Sequence, residues 1–209
     1  MALILRPELA DEHGLVAVGG DLRPMTLLRA YRNGIFPWFN EGDPLLWWSP
    51  DPRAIFELDH FYLSHRLFRT IRAGKFRLTI NQAFGEVMRG CAEREDTWIT
   101  ADMIAAYTHL HQLGHAHSIE AWLGDELVGG VYGVALGGFF SGESMFYRAR
   151  DASKVALTYL VEYLKIRGFV LFDTQVVTEH TASLGAVEIP RAEYLTRLKS
   201  ALELQVSFV

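Results

Sequence analysis

Two spacings of apolar positions alternate along the chain. Apolar residues three and four apart predict helices over 25–33, 64–73, 82–92, 100–113, 152–167 and 191–202, with a short turn of helix near 180–183. Alternating or continuously apolar runs predict strands over 15–20, 54–58, 76–80, 116–123, 126–136, 139–146, 169–176 and 204–209. Local punctuation agrees with both sets. Ser64 is placed to cap one helix, Gly34, Gly74 and Gly168 to end others, and Gly124-Asp125 to turn a hairpin. Between residues 37 and 52, three tryptophans and four prolines exclude a regular helix. That stretch predicts a rigid aromatic platform with turns at Asp43-Pro44 and Ser49-Pro50.

Successive antiparallel strands followed by helical crossovers predict an α+β fold built on a mixed sheet flanked by helices. The composition break near residue 62 divides the chain into a small N-terminal α/β domain, 1–62, and a larger domain, 63–209. Two pieces of the larger domain carry polar groups inside apolar strands: Phe140-Ser-Gly-Glu-Ser-Met-Phe146 and Leu171-Phe-Asp-Thr-Gln175. A buried carboxylate is costly unless it is paired or used, so Glu143 and Asp173 each demand an explanation. Asp173 and Gln175 are two apart on one strand and share a face.

Composition narrows the classes. Half of the 209 residues are hydrophobic, which supports a sizeable core, and no apolar run is long enough to cross a bilayer. The first residues lack a basic segment followed by a long apolar one, so a cytoplasmic protein without a signal peptide is expected. The single cysteine, Cys91, excludes a disulfide framework and reads as a core residue. A net charge of −5 argues against wholesale coating by nucleic acid. Nevertheless Arg66, Arg69, Arg72, Lys75 and Arg77 form a basic strip with no acid among them, which fits a phosphate-bearing partner touching one face.

Other chemistries fit poorly. His109, His111, His115 and His117 crowd together, but no cysteine or acid completes a four-ligand set, so no metal is expected. Gly142-Glu-Ser144 lacks the second glycine of a nucleophile elbow, Phe146 standing in its place. The glycines of Gly129-Gly-Val-Tyr-Gly133 lie within a strand, where they mark close approach of another backbone rather than a phosphate cradle. The start of the helix at Ala152-Ser-Lys154 is the better place for a phosphate or sugar.

Seven motifs in fixed order resemble one family. They are Gly34-Ile-Phe-Pro-Trp38, Trp47-Trp-Ser-Pro-Asp-Pro-Arg53, Thr97-Trp-Ile99, His115-Ala-His-Ser-Ile-Glu120, Leu127-Val-Gly-Gly130, Gly142-Glu-Ser-Met-Phe146 and His180-Thr-Ala-Ser-Leu-Gly-Ala186. Together they look like the leucyl/phenylalanyl-tRNA–protein transferases, from about residue 14 to about residue 195. The resemblance implies a C-terminal domain of the N-acetyltransferase fold and an aminoacyltransferase without a cofactor. It implies transfer of Leu, Phe or, less readily, Met from aminoacyl-tRNA to proteins beginning with Arg or Lys, marking them for degradation by the N-end rule. By motif position it implies Asp173, Gln175 and Glu143 as catalytic residues. Trp38, Trp98, Phe140, Ser144, Met145 and His180 would line the amino-acid and terminal adenosine pockets. Val131 and Thr178 are departures, standing where many members carry Met and Asn.

Such a site is expected to work by positioning, since the ester is already activated. The Gln175 carbonyl would accept from the attacking amine, Asp173 would orient that amide, and Glu143 would hold the cationic acceptor. The basic strip would hold the tRNA acceptor stem, and a monomer is expected. Two other readings stand beside this one: an acyl-CoA-dependent N-acyltransferase, whose pyrophosphate loop is missing from 148–153, and a non-catalytic module for basic N-termini or tRNA ends.

Overall fold

The computed structural model describes residues 5–93 and 97–209, so part of the N-terminal stretch bearing on the signal-peptide expectation lies outside the described residues. The strands are β1 (Leu15–Val18), β2 (Phe36–Pro37), β3 (Leu46–Trp48), β4 (Arg53–Phe56), β5 (Arg77–Ile80), β6 (Ala116–Leu123), β7 (Glu126–Leu136), β8 (Phe139–Tyr147), β9 (Leu171–Gln175) and β10 (Ala186–Ile189). The helices are α1 (Pro24–Arg32), α2 (His65–Arg72), α3 (Phe84–Ala92), α4 (Ala101–Gln112), α5 (Ala152–Arg167), α6 (Glu179–Ala182) and α7 (Arg191–Leu202). A small antiparallel sheet runs β1-β3-β2, and a large one runs β10-β4-β9-β8-β7-β6-β5. In the large sheet every neighbouring pair is antiparallel except β8 and β9, which are parallel and joined by the α5 crossover. The expected α+β class, a mixed sheet flanked by helices, is what the chain adopts.

Alternation along the strands sorts the core into two layers. One face of the large sheet packs against α1, α3, α4 and α7 through residues such as Leu27, Val87, Tyr107 and Tyr194. The other packs against α2 and α5 through Leu67, Val155 and Leu160. Cys91 is buried in α3. The caps read from the sequence are made: Ser64 accepts from the Leu67 amide, and Gly34 and Gly168 end their helices at positive φ; Thr100, a further cap, accepts from the Met103 amide. Glu120, fully buried in β6, is satisfied by the Thr79 and Ser118 hydroxyls, each at 2.5 Å, and accepts at 3.4 Å from the Gln82 and Ala83 amides just ahead of α3.

Three expectations change. The strand expected over 54–58 and grouped with the small N-terminal unit is β4, which lies inside the large sheet between β10 and β9. The segment 204–209 is not a strand. It is held by packing instead: Phe208 stacks on His117, its carbonyl accepts from Tyr163, and Ser207 accepts from Arg167. Conversely, the aromatic platform contains β2 and β3. Trp47 is buried there with its indole on the Gly19 carbonyl, and Trp48 donates to the Trp38 carbonyl. Among the described residues no helix is long and apolar enough to cross a membrane.

The strand glycines do mark close approach. A Cβ at Gly129 would lie 2.6 Å from that of Ala152, and one at Gly133 would lie 2.1 Å from the Ser141 carbonyl, where β7 and β8 shift register. Gly133→Ala is therefore expected to cost at least about 3 kcal/mol, because backbone rather than a movable side chain must give way. Urea unfolding of the variant measures it, and a loss below about 1 kcal/mol would show that the strands can separate there.

Candidate active site

β8 and β9 pair over Phe139–Ser141 and Leu171–Asp173, and beyond that point they part. The wedge between them holds a pocket of about 460 Å³. Its deep wall is apolar: Phe56, Val131, Met145, Leu157 and Phe172, with the Ser153 hydroxyl at the start of α5. Its mouth carries Trp38, Trp98 and Tyr147, with Thr178 and His180 at the start of α6. Among the described lining residues Glu143 is the single acid, and none is a lysine or arginine.

Behind this wall Asp173 is held by Arg53. The guanidinium meets the carboxylate through two nitrogens, Nε to Oδ1 at 2.8 Å and the second at 2.6 Å to Oδ2, and both side chains are fully buried. Arg53 also donates to the Gly34 carbonyl at 2.9 Å and lies against the Phe36 and Tyr194 rings. The Tyr194 hydroxyl adds a 2.8 Å bond to Asp173. Burial opposes the charge on Arg53, but the adjacent Asp173 outweighs it and raises the guanidinium further. With every partner in place, this is a satisfied buried ion pair.

The remaining acceptor capacity of Asp173 goes to the Gln175 backbone amide at 2.9 Å, not to the Gln175 side chain. Gln175 closes β9 at φ 60°, a left-handed conformation that costs a non-glycine residue energy unless its surroundings hold it. The bond from Asp173 does that. The Gln175 side-chain nitrogen donates to Ser141 Oγ at 2.9 Å and to Glu143 Oε1 at 3.2 Å. The expected Asp173–amide contact is thus corrected. Asp173 fixes the backbone of Gln175, while Ser141 and Glu143 orient its amide.

Glu143 has the opposite environment. It accepts from Ser141 at 2.8 Å and from Tyr107 at 3.4 Å, with Tyr31 hydrogen-bonded to Tyr107 behind it. No arginine or lysine pairs with it among the described residues. Burial pushes its carboxyl up to about 7, against the hydrogen bond from Ser141 and the Tyr31 hydroxyl nearby. Two carboxylates about one strand apart thus differ in kind: one is neutralised in the core, the other is poised at the pocket.

Of the other residues predicted for the site, Trp38, Trp98, Val131, Ser144, Met145, Thr178 and His180 line the pocket. Phe140 does not; it is buried beneath, edge-on to Phe172 and stacked on Phe208. The basic strip is exposed, but its lack of a compensating acid holds only locally in sequence. Arg66 meets both oxygens of Asp151 at 2.9 Å, which ties α2 to the start of α5 beside the pocket. Among the described residues, Arg69, Arg72, Lys75 and Arg77 form no ion pair. Arg53, Tyr194, Ser141, Tyr31 and Tyr107 were not predicted. Arg53 carried a signal, a charge inside the apolar run Arg-Ala-Ile-Phe; the tyrosines read as ordinary core.

Known proteins can now be set beside this geometry. The family model described as leucyl/phenylalanyl-tRNA protein transferase matches residues 55–199, and the model for that family's N-terminal domain matches 20–51. A leucyl/phenylalanyl-tRNA–protein transferase of Enterobacter sp. (strain 638) is 57% identical over 192 residues, covering 91% of this chain and 82% of its own. One from Anaeromyxobacter dehalogenans (strain 2CP-C) is 55% identical over 202 residues, covering 94% and 87%. Among solved structures, a GCN5-related N-acetyltransferase from Kribbella flavida covers 79% of this chain and 60% of its own at 8% identity and a TM-score of 0.40, too distant to carry an argument.

The raised Glu143 pKa has a consequence for stability. A carboxyl whose folded value, about 7, exceeds its unfolded value favours the folded state below about 4.5, and this contribution is lost as pH rises toward 7. Glu143→Gln, which cannot ionise, is therefore expected to gain stability relative to the parent as pH rises from 4.5 to 8. The gain should be of the order of 3 kcal/mol at most. Unfolding of both proteins across that range checks it, and a pH-independent difference would place the Glu143 carboxyl at its ordinary value.

Proposed function

The chain belongs to the leucyl/phenylalanyl-tRNA–protein transferase family, and from that premise we propose that it moves Leu or Phe, and less readily Met, from aminoacyl-tRNA to the α-amine of proteins beginning with Arg or Lys. The product would carry an N-end rule degradation signal, made by a cytoplasmic monomer. One observation carries the reading: an apolar pocket in which Glu143, the single acid among the described lining residues, stands 3.2 Å from the Gln175 amide nitrogen. An apolar donor side chain and a cationic acceptor amine both have a place there.

The chemistry is aminolysis. The amine nitrogen attacks the ester carbonyl, the bond to the ribose oxygen breaks, and an amine proton finishes on that oxygen. An α-amine near pKa 8 is about one-tenth neutral at pH 7, so freeing it costs about 1.4 kcal/mol. Aligning two bound substrates can supply ~7–11 kcal/mol, whereas general-base help contributes about 10²–10⁴ in rate. Positioning is the larger effect.

In this scheme Glu143 receives the acceptor ammonium, and the Gln175 carbonyl accepts from the amine as it attacks. The Gln175 nitrogen, held by Ser141 and Glu143, is what aims that carbonyl. Asp173 acts one step back, as a positioning residue that keeps Gln175 in its left-handed conformation. Val131, Met145, Leu157 and Phe172 would surround the donor side chain, and Trp38 and Trp98 at the mouth would flank the terminal adenosine. The exposed cations from Arg69 to Arg77, beside the pocket through the Arg66–Asp151 tie, suit the phosphates of the acceptor stem.

Incubation with charged Leu-tRNA and an Arg-initiated peptide is expected to yield Leu-peptide, and acetyl-CoA in place of the tRNA to yield nothing. Gln175→Ala should slow single-turnover transfer by roughly 10²-fold or more; a near-parental rate would remove Gln175 from the reaction. Four unpaired cations on phosphates predict a fall in tRNA affinity on the order of 10²-fold between 50 and 200 mM salt. A flat salt response would detach the strip from the tRNA.

A further inference from the structure

We propose that Tyr107 and Tyr31 are positioning residues for the transfer reaction, holding the Glu143 carboxylate for the acceptor amine and joining α1 of the N-terminal unit to the site. The inference rests on the reading of Glu143 as the acceptor's anchor.

Tyr31 lies on α1 and Tyr107 on α4, and both are wholly buried among apolar neighbours such as Leu27, Ala30, Met103 and Leu110. Packing alone would be served by phenylalanine at either position. A buried hydroxyl costs stability unless it is hydrogen-bonded. Here the two hydroxyls bond each other, and Tyr107 donates onward to Glu143 Oε2 at 3.4 Å. The Tyr107 ring is set edge-on to Tyr132 at 5.9 Å, so its hydroxyl arrives from a fixed direction. Ser141 and Gln175 hold the other oxygen, Oε1. Each carboxylate oxygen is therefore pinned from the protein side, and the carboxylate cannot turn away from the pocket without breaking bonds on both.

The phenols also remain donors throughout the working range. Burial first, and then the Glu143 charge, hold both of them well above the usual tyrosine value. They favour the ionised carboxylate, which is the form that receives an ammonium. The charged and titratable groups around Glu143 are Tyr31 from α1, Arg53 from β4, Tyr107 from α4, Asp173 from β9 and Tyr194 from α7. The Arg53 charge is already shared with Asp173 in two bonds, and Tyr107 is the donor on Oε2 while Ser141 and Gln175 hold Oε1. Neither phenol leads to solvent, so the pair orients and supports charge rather than exporting a proton.

The test compares Tyr107→Phe, Tyr31→Phe, Glu143→Gln and the Tyr107→Phe/Glu143→Gln double variant in single-turnover transfer from Leu-tRNA to an Arg-initiated peptide, from pH 5.5 to 9. Loss of a donor to a charged group should move the acid limb of Tyr107→Phe upward by about one pH unit. The peptide KM should rise while the Leu-tRNA KM stays at the parental value. Tyr31→Phe should shift the limb the same way by less, and Tyr107→Phe should add no shift in the Glu143→Gln background. A second readout needs no activity: the Glu143 carboxyl band, taken as the infrared difference from Glu143→Gln, should titrate higher in Tyr107→Phe. An unmoved band and limb in Tyr107→Phe, with Glu143→Gln impaired, would overturn the role of the pair alone. A Glu143→Gln variant with parental rate and profile would instead remove the anchor, and the pair with it.

Discussion

The Arg53–Asp173 pair is the constraint on which the rest of the site depends. Separating β8 from β9 leaves polar backbone and a strand end facing a cavity, an arrangement that must be held open from behind. The pair does this by locking β4 to β9 in the core, with Gly34 and Tyr194 taking up the donors and acceptors that remain. Removing one partner from such a pair costs about 3–5 kcal/mol, because the other charge stays buried without compensation. Its geometric effect is equally important. By accepting the Gln175 amide, Asp173 stabilises a left-handed residue where the strand ends, and that residue carries its amide into the wedge.

From this base the site divides its labour by environment. Asp173 and Glu143 belong to neighbouring strands, the first fully buried and the second partly so, and among the described residues a guanidinium meets the first while neutral donors meet the second. A further carboxylate, Glu120, is fully buried, occupied by two hydroxyls and the Gln82 and Ala83 amides, and lies away from the pocket lining. Of the three, Glu143 is the one on the pocket wall, where burial raises its carboxyl to about 7. A centre of this kind suits an acyl donor that is already activated, where holding the amine matters more than creating a nucleophile.

Much of the fold was legible in the sequence, because helix and strand periods differ and the caps are local. α5, α7, β6 and β7 fall where the spacing put them. The misreadings share a physical cause: nonlocal contacts decide them. The tail 204–209 alternates like a strand but buries Phe208 against His117 and Phe140 while Leu204 and Val209 stay exposed. β4 looks like part of the N-terminal unit along the chain, yet its partners lie more than a hundred residues away. In the site, Glu143 and Gln175 could be singled out because polar groups in apolar strands are expensive. Two-residue alternation correctly put Gln175 near Asp173, but could not tell a backbone contact from a side-chain one. Tyr31 and Tyr107 gave no signal, since a tyrosine in a helix core reads like a phenylalanine until its hydroxyl is located.

The central claim is that Glu143 faces the acceptor while Asp173 acts only through the conformation of Gln175. The pH dependence of single-turnover transfer in Asp173→Asn and Glu143→Gln, set beside the parent, tests this most directly. The account predicts that Asp173→Asn is slower at every pH but keeps the parental acid profile, and that Glu143→Gln keeps the fall set by amine protonation but loses the steeper fall below about pH 7. A steeper fall that vanishes in Asp173→Asn and persists in Glu143→Gln would contradict it.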